Sequence, residues 1–398
     1  MIPYGKQNIT DEDILAVTKA LKGDYLTQGP TILEFEEKFA SYVEAKYAVA
    51  VSNGTAALHL CAMALGVNNS SKVITTPITF AASANCIKYC GGEVVFSDID
   101  AETYLIAIEK VKQLIESNPK GTFSGIIPVD FAGRAVNLEE LKKIADEHNL
   151  WIIEDACHAP GGFFIDSNNQ KQLCGNGKFA DLAIFSFHPV KHIATGEGGM
   201  ITTNNKELYH KLLELRSHGI TRNSEIFTNS LDFANGTTNH NGTYPGWYME
   251  MQSLGYNYRF TDFQAALGIS QLSRAEEGIS KRRAIAERYT TAFKEQSFIK
   301  GFSNLIEGHA YHLYIIEVED RLALYNFLRE KNIYCQIHYI PCHLMPYYKE
   351  QGYKEGDFIN AEAYYKKCIS LPMFPTLTED EQNFIIDSIF TFFNNKSI

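Results

Sequence analysis

Apolar and polar positions follow two rhythms along this chain. Between about residues 45 and 205, short unbroken apolar runs alternate with helix-periodic stretches: "YAVAVS" before "TAALHLCAMALG", "KVITTP" before "FAASANCIKYC", then "GEVVFSD". "SGIIPVD" before "NLEELKKIADEHN", then "LWIIEDA", "LAIFSF" and "GGMITT" continue the pattern. Continuous Val/Ile runs with helices between them predict a largely parallel sheet covered on both faces. In such sheets ligands bind beyond the carboxyl ends of the strands, so the chemistry is expected in the residues that follow the runs.

The second rhythm begins at "RFTDFQAALGISQLSRAEEGISKRRAIAERYTTAF", which predicts one long helix with Thr261 as N-cap and Asp262 in its first turn. After it come a strand in "AYHLYIIEV", a helix in "RLALYNFLREKN", a strand in "IYCQIHY" and a final helix opened by the capping box Thr378–Glu381. With 398 residues the chain exceeds what one core usually holds. The expectation is an α/β protein with two domains. One is an N-terminal segment plus a large, mostly parallel-sheet domain over 1–275; the other is a smaller α+β domain over 276–398.

Charge narrows the partners. A formal net charge of -11 argues against nucleic acid, whose phosphates require clustered Lys and Arg. No apolar run is long enough to cross a bilayer, and "MIPYGKQNIT" has neither the basic nor the apolar region of a signal peptide. The eight cysteines are scattered without a CxxC pair, so no metal and a reducing, cytoplasmic location are expected.

Four places fall at predicted strand ends. In "SNGTAALHL", Gly54 and Thr55 open a helix after a strand, where free N–H groups and the helix dipole favour an anion such as phosphate. A well-capped core helix would read the same way. In "LWIIEDACHAPGG", Asp155 ends a buried strand, where it could hold a protonated ring nitrogen or simply cap a helix; His158 follows three residues on. In "SFHPVKHIATGEGG", Ser186 ends a strand and Lys191 sits on a turn that Pro189 keeps from being helical. A lysine beside an anion site and facing a carboxylate can form a Schiff base. A lysine merely snorkelling from a loop would not explain the Gly196, Gly198 and Gly199 that follow. In "LGYNYRFTDFQAALG", Asn257 and Arg259 precede the long helix, and a polar helix start is the plain alternative.

In this order, the four places resemble the fold-type I (aspartate aminotransferase-like) pyridoxal-phosphate enzymes and, within them, the DegT/DnrJ/StrS nucleotide-sugar aminotransferases. The resemblance runs from "YGKQ" at Tyr4 to "HYIPCH" at His338–His343. It implies pyridoxal 5'-phosphate as cofactor, with Lys191 as the Schiff-base lysine, Asp155 on the pyridinium nitrogen and His158 near the ring's 3-hydroxyl. It further implies Phe80 stacked on the ring, and Gly54, Thr55, Ala56 and Ser186 around the phosphate. Asn257 would reach in from a partner subunit of a homodimer with shared sites. Tyr4 and the stretch Tyr25, Leu26, Thr27 and Gln28 match the family's sugar-nucleotide contacts. "HPVK" and "YPGWYMEMQSLGYNYR" are most similar to the branch that moves the amino group of L-glutamate to C4 of a UDP-linked 2-acetamido-2,6-dideoxy-hexos-4-ulose on the way to pseudaminic acid. Another nucleotide-linked keto sugar as acceptor, or a protein that binds the cofactor as a sensor without turnover, are the other readings of the same residues. "HIATGEGG" carries Ala194 where the family often has Thr, while Thr195 is kept.

Overall fold

The structure, a computed structural model, describes residues 1–236, 242–299, 301–302 and 305–395. All seven apolar runs become strands: β1 (Tyr47–Val51), β2 (Lys72–Thr75), β3 (Glu93–Phe96), β4 (Gly125–Ile127), β5 (Trp151–Asp155), β6 (Leu182–Ser186) and β7 (Gly199–Thr203). They form one sheet in the order β1-β7-β6-β5-β4-β2-β3. The pairs β2–β3, β2–β4, β4–β5 and β5–β6 are parallel. Strand β7 runs antiparallel between β1 and β6. The Ser186–Gly199 connection contains no helix to carry the chain back across the sheet, so β7 returns antiparallel. Because β2, β4, β5 and β6 share a direction, Thr75, Ile127, Asp155 and Ser186 all finish at one edge of the sheet.

The helices α1 (Asp11–Leu21), α2 (Pro30–Val43), α3 (Gly54–Ala64) and α4 (Ala82–Tyr89) lead the large lobe. Helix α3 is small and apolar on every side, and almost all of it is buried, as a helix without a polar face must be. At the strand starts, Gly125 makes room for the Trp151 ring, which lies 2.2 Å from where a Cβ would stand.

The chain then forms α5 (Asp262–Leu272) and α6 (Ala275–Phe293). The single long helix expected here is broken at Ser273–Arg274. Arg274 leaves helical geometry at φ -114°, ψ 10°, and its guanidinium pairs at 2.6 Å with Asp13, a carboxylate buried on α1. Thr261 caps α5 as expected, in a capping box with Gln264. The C-terminal part holds a three-stranded antiparallel sheet, β8 (Gly301–Phe302), β9 (Tyr314–Glu317) and β10 (Cys368–Leu371). Around it, Tyr289 and Phe293 of α6 pack with Ile316, Ile369 and Ile385. The final helix, Glu379–Asn394, has the anticipated Thr378–Glu381 box.

"IYCQIHY" is not a strand. It makes only isolated bridges, Ile2↔Ile333 and Gln336↔Ser370. After Gln336 it turns away, with His338 Nδ1 on Ser370 Oγ at 2.9 Å, and its next residue goes to a cavity in the large lobe. The third strand is supplied instead by Cys368–Leu371, whose four residues gave no period to read.

The fold predicts the outcome of one small substitution. A Cβ on Gly199 would lie 2.6 Å from the Asn53 carbonyl and 2.9 Å from the Gly54 nitrogen. Gly199→Ala should therefore displace the start of α3 and cost about 1–3 kcal/mol of stability. Gly278→Ala, in the interior of α6 with its nearest neighbour at 3.9 Å, should instead gain about 1 kcal/mol. Urea melts of the two variants check the contrast.

Candidate active site

A cavity of about 700 Å³ opens where the parallel strands end. Tyr4, Gly54, Thr55, Ala56, Phe80, Asp155, His158, Ser186 and Lys191 all line it. Nine of the residues singled out from sequence thus meet in one place. A second cavity, about 280 Å³ around Ile115, Phe123 and Leu150, lies by the opposite strand ends.

Asn53 caps α3 with its side chain, which accepts the Ala56 N–H at 2.8 Å. The first bond along the helix backbone goes from Ala57 N to Asn53 O, so the N–H groups of Gly54 and Thr55 precede it and are left for an outside acceptor. Ala56 lines the cavity, but its N–H is engaged by Asn53. A Cβ on Gly54 would meet Ser186 Cβ at 3.1 Å, so the bare helix start and the serine hydroxyl approach each other closely. Amide donors, a hydroxyl and a positive helix end form a cradle that suits a phosphate.

Asp155 ends β5, and no helix follows it; residues 156–162 are turns leading to a short hairpin, Phe163–Ile165 with Lys171–Leu173. The helix-cap alternative for Asp155 therefore has no helix to cap. The carboxylate is buried, accepting the Ser83 hydroxyl at 2.6 Å and the Cys157 N–H at 3.2 Å. Thr79 Oγ1 holds Ser83 in turn at 2.8 Å. On the cavity wall Phe80 is 64% exposed, an apolar ring with its face uncovered.

Lys191 follows a turn in which its N–H donates to the His188 carbonyl at 2.8 Å. Burial lowers its pKa, while Cys157 and Asp155 pull the other way. His158 is buried as a neutral ring. Its Nδ1 accepts the Ala132 N–H at 3.2 Å, so the ring's proton resides on Nε2, 3.2 Å from the Tyr339 hydroxyl. Burial, then the charge of Lys191, hold His158 well below the usual histidine range. Ala132 itself sits at φ 60°, a left-handed conformation that costs an alanine about 1–2 kcal/mol. The bond to His158 helps to hold it there.

Sequence reasoning missed Ser83, Tyr339, His312 and Tyr258, which also shape the cavity. His312 packs on His158 with ring centroids 4.2 Å apart. The polar pair His338–Tyr339 inside an otherwise strand-like run was the available signal for one of these. Beneath the site, on the neighbouring strand ends, Asp130, Glu154 and Cys174 bring ligand-capable atoms within 4.8 Å of one another. Burial raises both carboxyls, Asp130 to about 6 and Glu154 well above the usual carboxylate range.

Two groups of expected contacts lie off the cavity. Tyr25, Leu26, Thr27 and Gln28 are exposed, pinned to the start of α5 by the Thr27↔Thr261 bridge and by Asp262 N–H on the Leu26 carbonyl at 3.0 Å. Asn257 is exposed as well, although its neighbour Tyr258 faces the cavity. The structure brings these two groups to the same end of α5, and not to the pocket of their own chain.

The model of the DegT/DnrJ/EryC1/StrS aminotransferase family matches residues 7–390. The chain belongs to that family. Its aminotransferases use pyridoxal phosphate. The spore coat polysaccharide biosynthesis protein SpsC of Bacillus subtilis is 36% identical over 397 residues, covering 98% of this chain and 96% of that protein. A UDP-4-amino-4,6-dideoxy-N-acetyl-beta-L-altrosamine transaminase of Campylobacter jejuni is 34% identical over 400 residues, covering 98% and 97%. Among solved structures, Helicobacter pylori PseC, an aminotransferase involved in the biosynthesis of pseudoaminic acid, superposes with a TM-score of 0.85 at 28% identity over 99% of both chains. The pyridoxal-phosphate form of a Streptococcus pneumoniae sugar aminotransferase gives a TM-score of 0.84 at 27% identity over 98% of both. Among the described residues of this sugar aminotransferase, no helix is long and apolar enough to cross a membrane.

The buried imidazoles make the aminotransferase sensitive to acid. Burial depresses His158, His192 and His312 well below 6.5, and His309 and His338 to about 3. Their folded values lie below the unfolded one, so their stability is present above pH 6.5 and is lost as the pH falls. Each ring should cost about 1.4 kcal/mol per pH unit below that point. Urea midpoints should drop steeply between pH 7 and 5.5, and His338→Asn should flatten the slope by one ring's share.

Proposed function

We propose that the enzyme moves the amino group of L-glutamate to C4 of UDP-2-acetamido-2,6-dideoxy-β-L-arabino-hexos-4-ulose. The products would be UDP-4-amino-4,6-dideoxy-N-acetyl-β-L-altrosamine, a precursor of pseudaminic acid, and 2-oxoglutarate. The observation that carries the chemistry is the meeting of Lys191, Asp155 and the bare start of α3 in one cavity. The acceptor is supported by the 34% identical altrosamine transaminase and by the likeness to PseC.

The residues present fit pyridoxal phosphate. Gly54, Thr55 and Ser186 would hold its phosphate, Phe80 would cover a ring face, His158 would lie by the 3-hydroxyl, and Asp155 would face the ring nitrogen. When bound, the cofactor supplies an electron sink for a carbanion next to an amine. Asp155, fixed by Ser83 and Cys157, would set its carboxyl group against the ring nitrogen. Lys191 moves protons: its Nζ takes one from Cα of glutamate and, in the return half, delivers one to C4 of the sugar. Burial assists the first step by favouring the neutral, proton-accepting amine. Tyr4 on the cavity wall is placed to touch the sugar nucleotide.

The site is proposed to be completed by a second copy, related by a two-fold axis. Asn257 and Tyr25–Gln28 share an exposed end of α5, and Tyr25, Leu26, Leu33, Trp247, Met251 and Leu254 are all exposed large apolar residues. An apolar surface of that extent suits a subunit contact. There Asn257 would reach the partner's phosphate and Tyr25, Leu26, Thr27 and Gln28 the partner's sugar nucleotide.

Three measurements test these readings. The cofactor spectrum should change with glutamate and recover fastest with the UDP-β-L-arabino 4-keto sugar. Faster recovery with a dTDP sugar overturns the acceptor and keeps the aminotransferase; no change with glutamate leaves a sensor. Lys191→Ala should abolish turnover and leave no cofactor attached to the chain after borohydride reduction. Separately, Lys191→Ala subunits co-refolded with Asn257→Asp subunits should regain activity that each homodimer lacks. Random pairing makes about half the dimers mixed, each with one intact site, so roughly a quarter of wild-type sites should return. Mixed dimers without activity would place Asn257 in its own subunit's site.

A further inference from the structure

Lys191 lines two cavities, not one. Besides the front cavity that it shares with Asp155 and Phe80, it borders a smaller one of about 40 Å³, together with His192, Ala194, Arg274 and Gly278. His192 lines the rear cavity and His312 the front one, and their ring centroids are 5.7 Å apart. At that point the wall between the cavities is two rings thick. Two polar atoms on the rear lining residues have no protein partner. The Nε2–H of His192 donates to the Ala310 carbonyl at 2.8 Å, which leaves Nδ1 of the neutral ring as an acceptor, buried and unpaired. Arg274 uses Nη2 to hold Asp13 at 2.6 Å, while its Nε–H, a donor, is buried and unpaired as well. An acceptor and a donor left over beside one small polar cavity are what retains a buried water, which takes one bond and gives another. At roughly 10–15 Å³ each, about two or three waters fit. Charge does not call for an anion instead. Arg274 is matched by Asp13 and Lys281 by Glu277 at 2.6 Å, and the remaining cation on this lining, Lys6, is exposed.

We propose that the rear cavity holds water that exchanges protons with the Lys191 amine, and that His192 is the positioning residue for that water, its Nδ1 accepting a hydrogen bond from it. The inference rests on Lys191 being the proton-moving group. An amine that takes a proton and passes it on has to regain its starting form. With cofactor and substrate in the front cavity, water is displaced from that side, and the rear cavity is the other one that Lys191 borders. In the exchange an N–H bond of the Lys191 ammonium breaks and an O–H bond to the rear water forms. That water passes one of its protons to the next and so to bulk, leaving the lysine as a neutral amine. The reverse transfer restores the ammonium, and no other reactant takes part.

Gly278 offers a way to close this route. It lies on α6, and a Cβ there would meet nothing nearer than Pro375 at 3.9 Å. Gly278→Leu should therefore put a side chain into the rear cavity with the helix intact. His192→Phe removes the acceptor, and His192→Asn offers a carbonyl in its place. The readout is the deuterium that one half-reaction with α-deuterated glutamate, run in ordinary water, carries into the aminated cofactor. Wild type should carry little, because the deuteron is lost through the rear water. Gly278→Leu and His192→Phe should carry several-fold more, and His192→Asn should fall back toward wild type. A purely structural role for His192 would alter rates and leave this partition alone. Equal carry-over in wild type, Gly278→Leu and His192→Phe would overturn the proposal. The water is also read without turnover: a crystal structure of the full chain should show one within hydrogen-bond distance of His192 Nδ1. A dry cavity or an anion there sinks the inference, even if no variant folds. If glutamate keeps its Cα deuterium in the presence of wild type, the functional reading on which this rests has failed, whatever the crystal shows.

Discussion

A buried carboxylate and a half-buried amine that face one cavity are the constraint around which the rest of this protein is arranged. Asp155 has given up water for a hydroxyl and an amide. Lys191 has given it up for almost nothing of its own, and so its ammonium form is disfavoured despite the carboxylate nearby. Keeping both in a low-dielectric site requires a rigid support, because either charge alone would otherwise draw in water or move toward it. The parallel sheet supplies that support: Asp155 pairs with Ile184 on one side and makes a bridge to Val129 on the other. The turn ahead of Lys191 is tied to the sheet where Phe187 N–H meets the Gly198 carbonyl at 2.8 Å.

The next layer solves the problem of what surrounds these charges. Five histidines in the region are all held neutral, chiefly by burial. Neutral imidazoles provide polar contacts without adding charge to a site whose electrostatics are already strained. His158 is the clearest case: one nitrogen is fixed as acceptor by a backbone amide, which leaves the other as donor. The cost is sensitivity to acid.

The C-terminal part and the N-terminal segment reach this site through few residues. Tyr339 comes from a stretch that leaves the small sheet after Gln336, and His312 from the segment leading into β9. Tyr4 comes from the N-terminal segment and packs on His338, ring centroids 5.2 Å apart. A cavity closed by three separate segments can be adapted to different acceptors by changes in any of them, while the sheet edge and its lysine stay as they are. Among the relatives, one name refers to a spore coat polysaccharide and another to a UDP-linked amino sugar.

The sequence alone determined the seven strands of the large sheet, because continuous Val/Ile runs flanked by helical periods leave a buried parallel strand as the simplest reading. It also determined which residues stand at the strand ends, and so placed Gly54, Asp155, Ser186 and Lys191 in one region. Local pattern could not show the break at Ser273–Arg274, since helical propensity continues through it; the break exists because Arg274 reaches a carboxylate 261 residues away. Nor could it show that "IYCQIHY" abandons the sheet or that four residues at Cys368 replace it, for strand pairing is decided by partners distant in sequence. Ser83, His312 and Tyr339 became visible only in three dimensions. Each meets the site through contacts to residues far along the chain, and contacts of that kind leave no period, spacing or composition to be read.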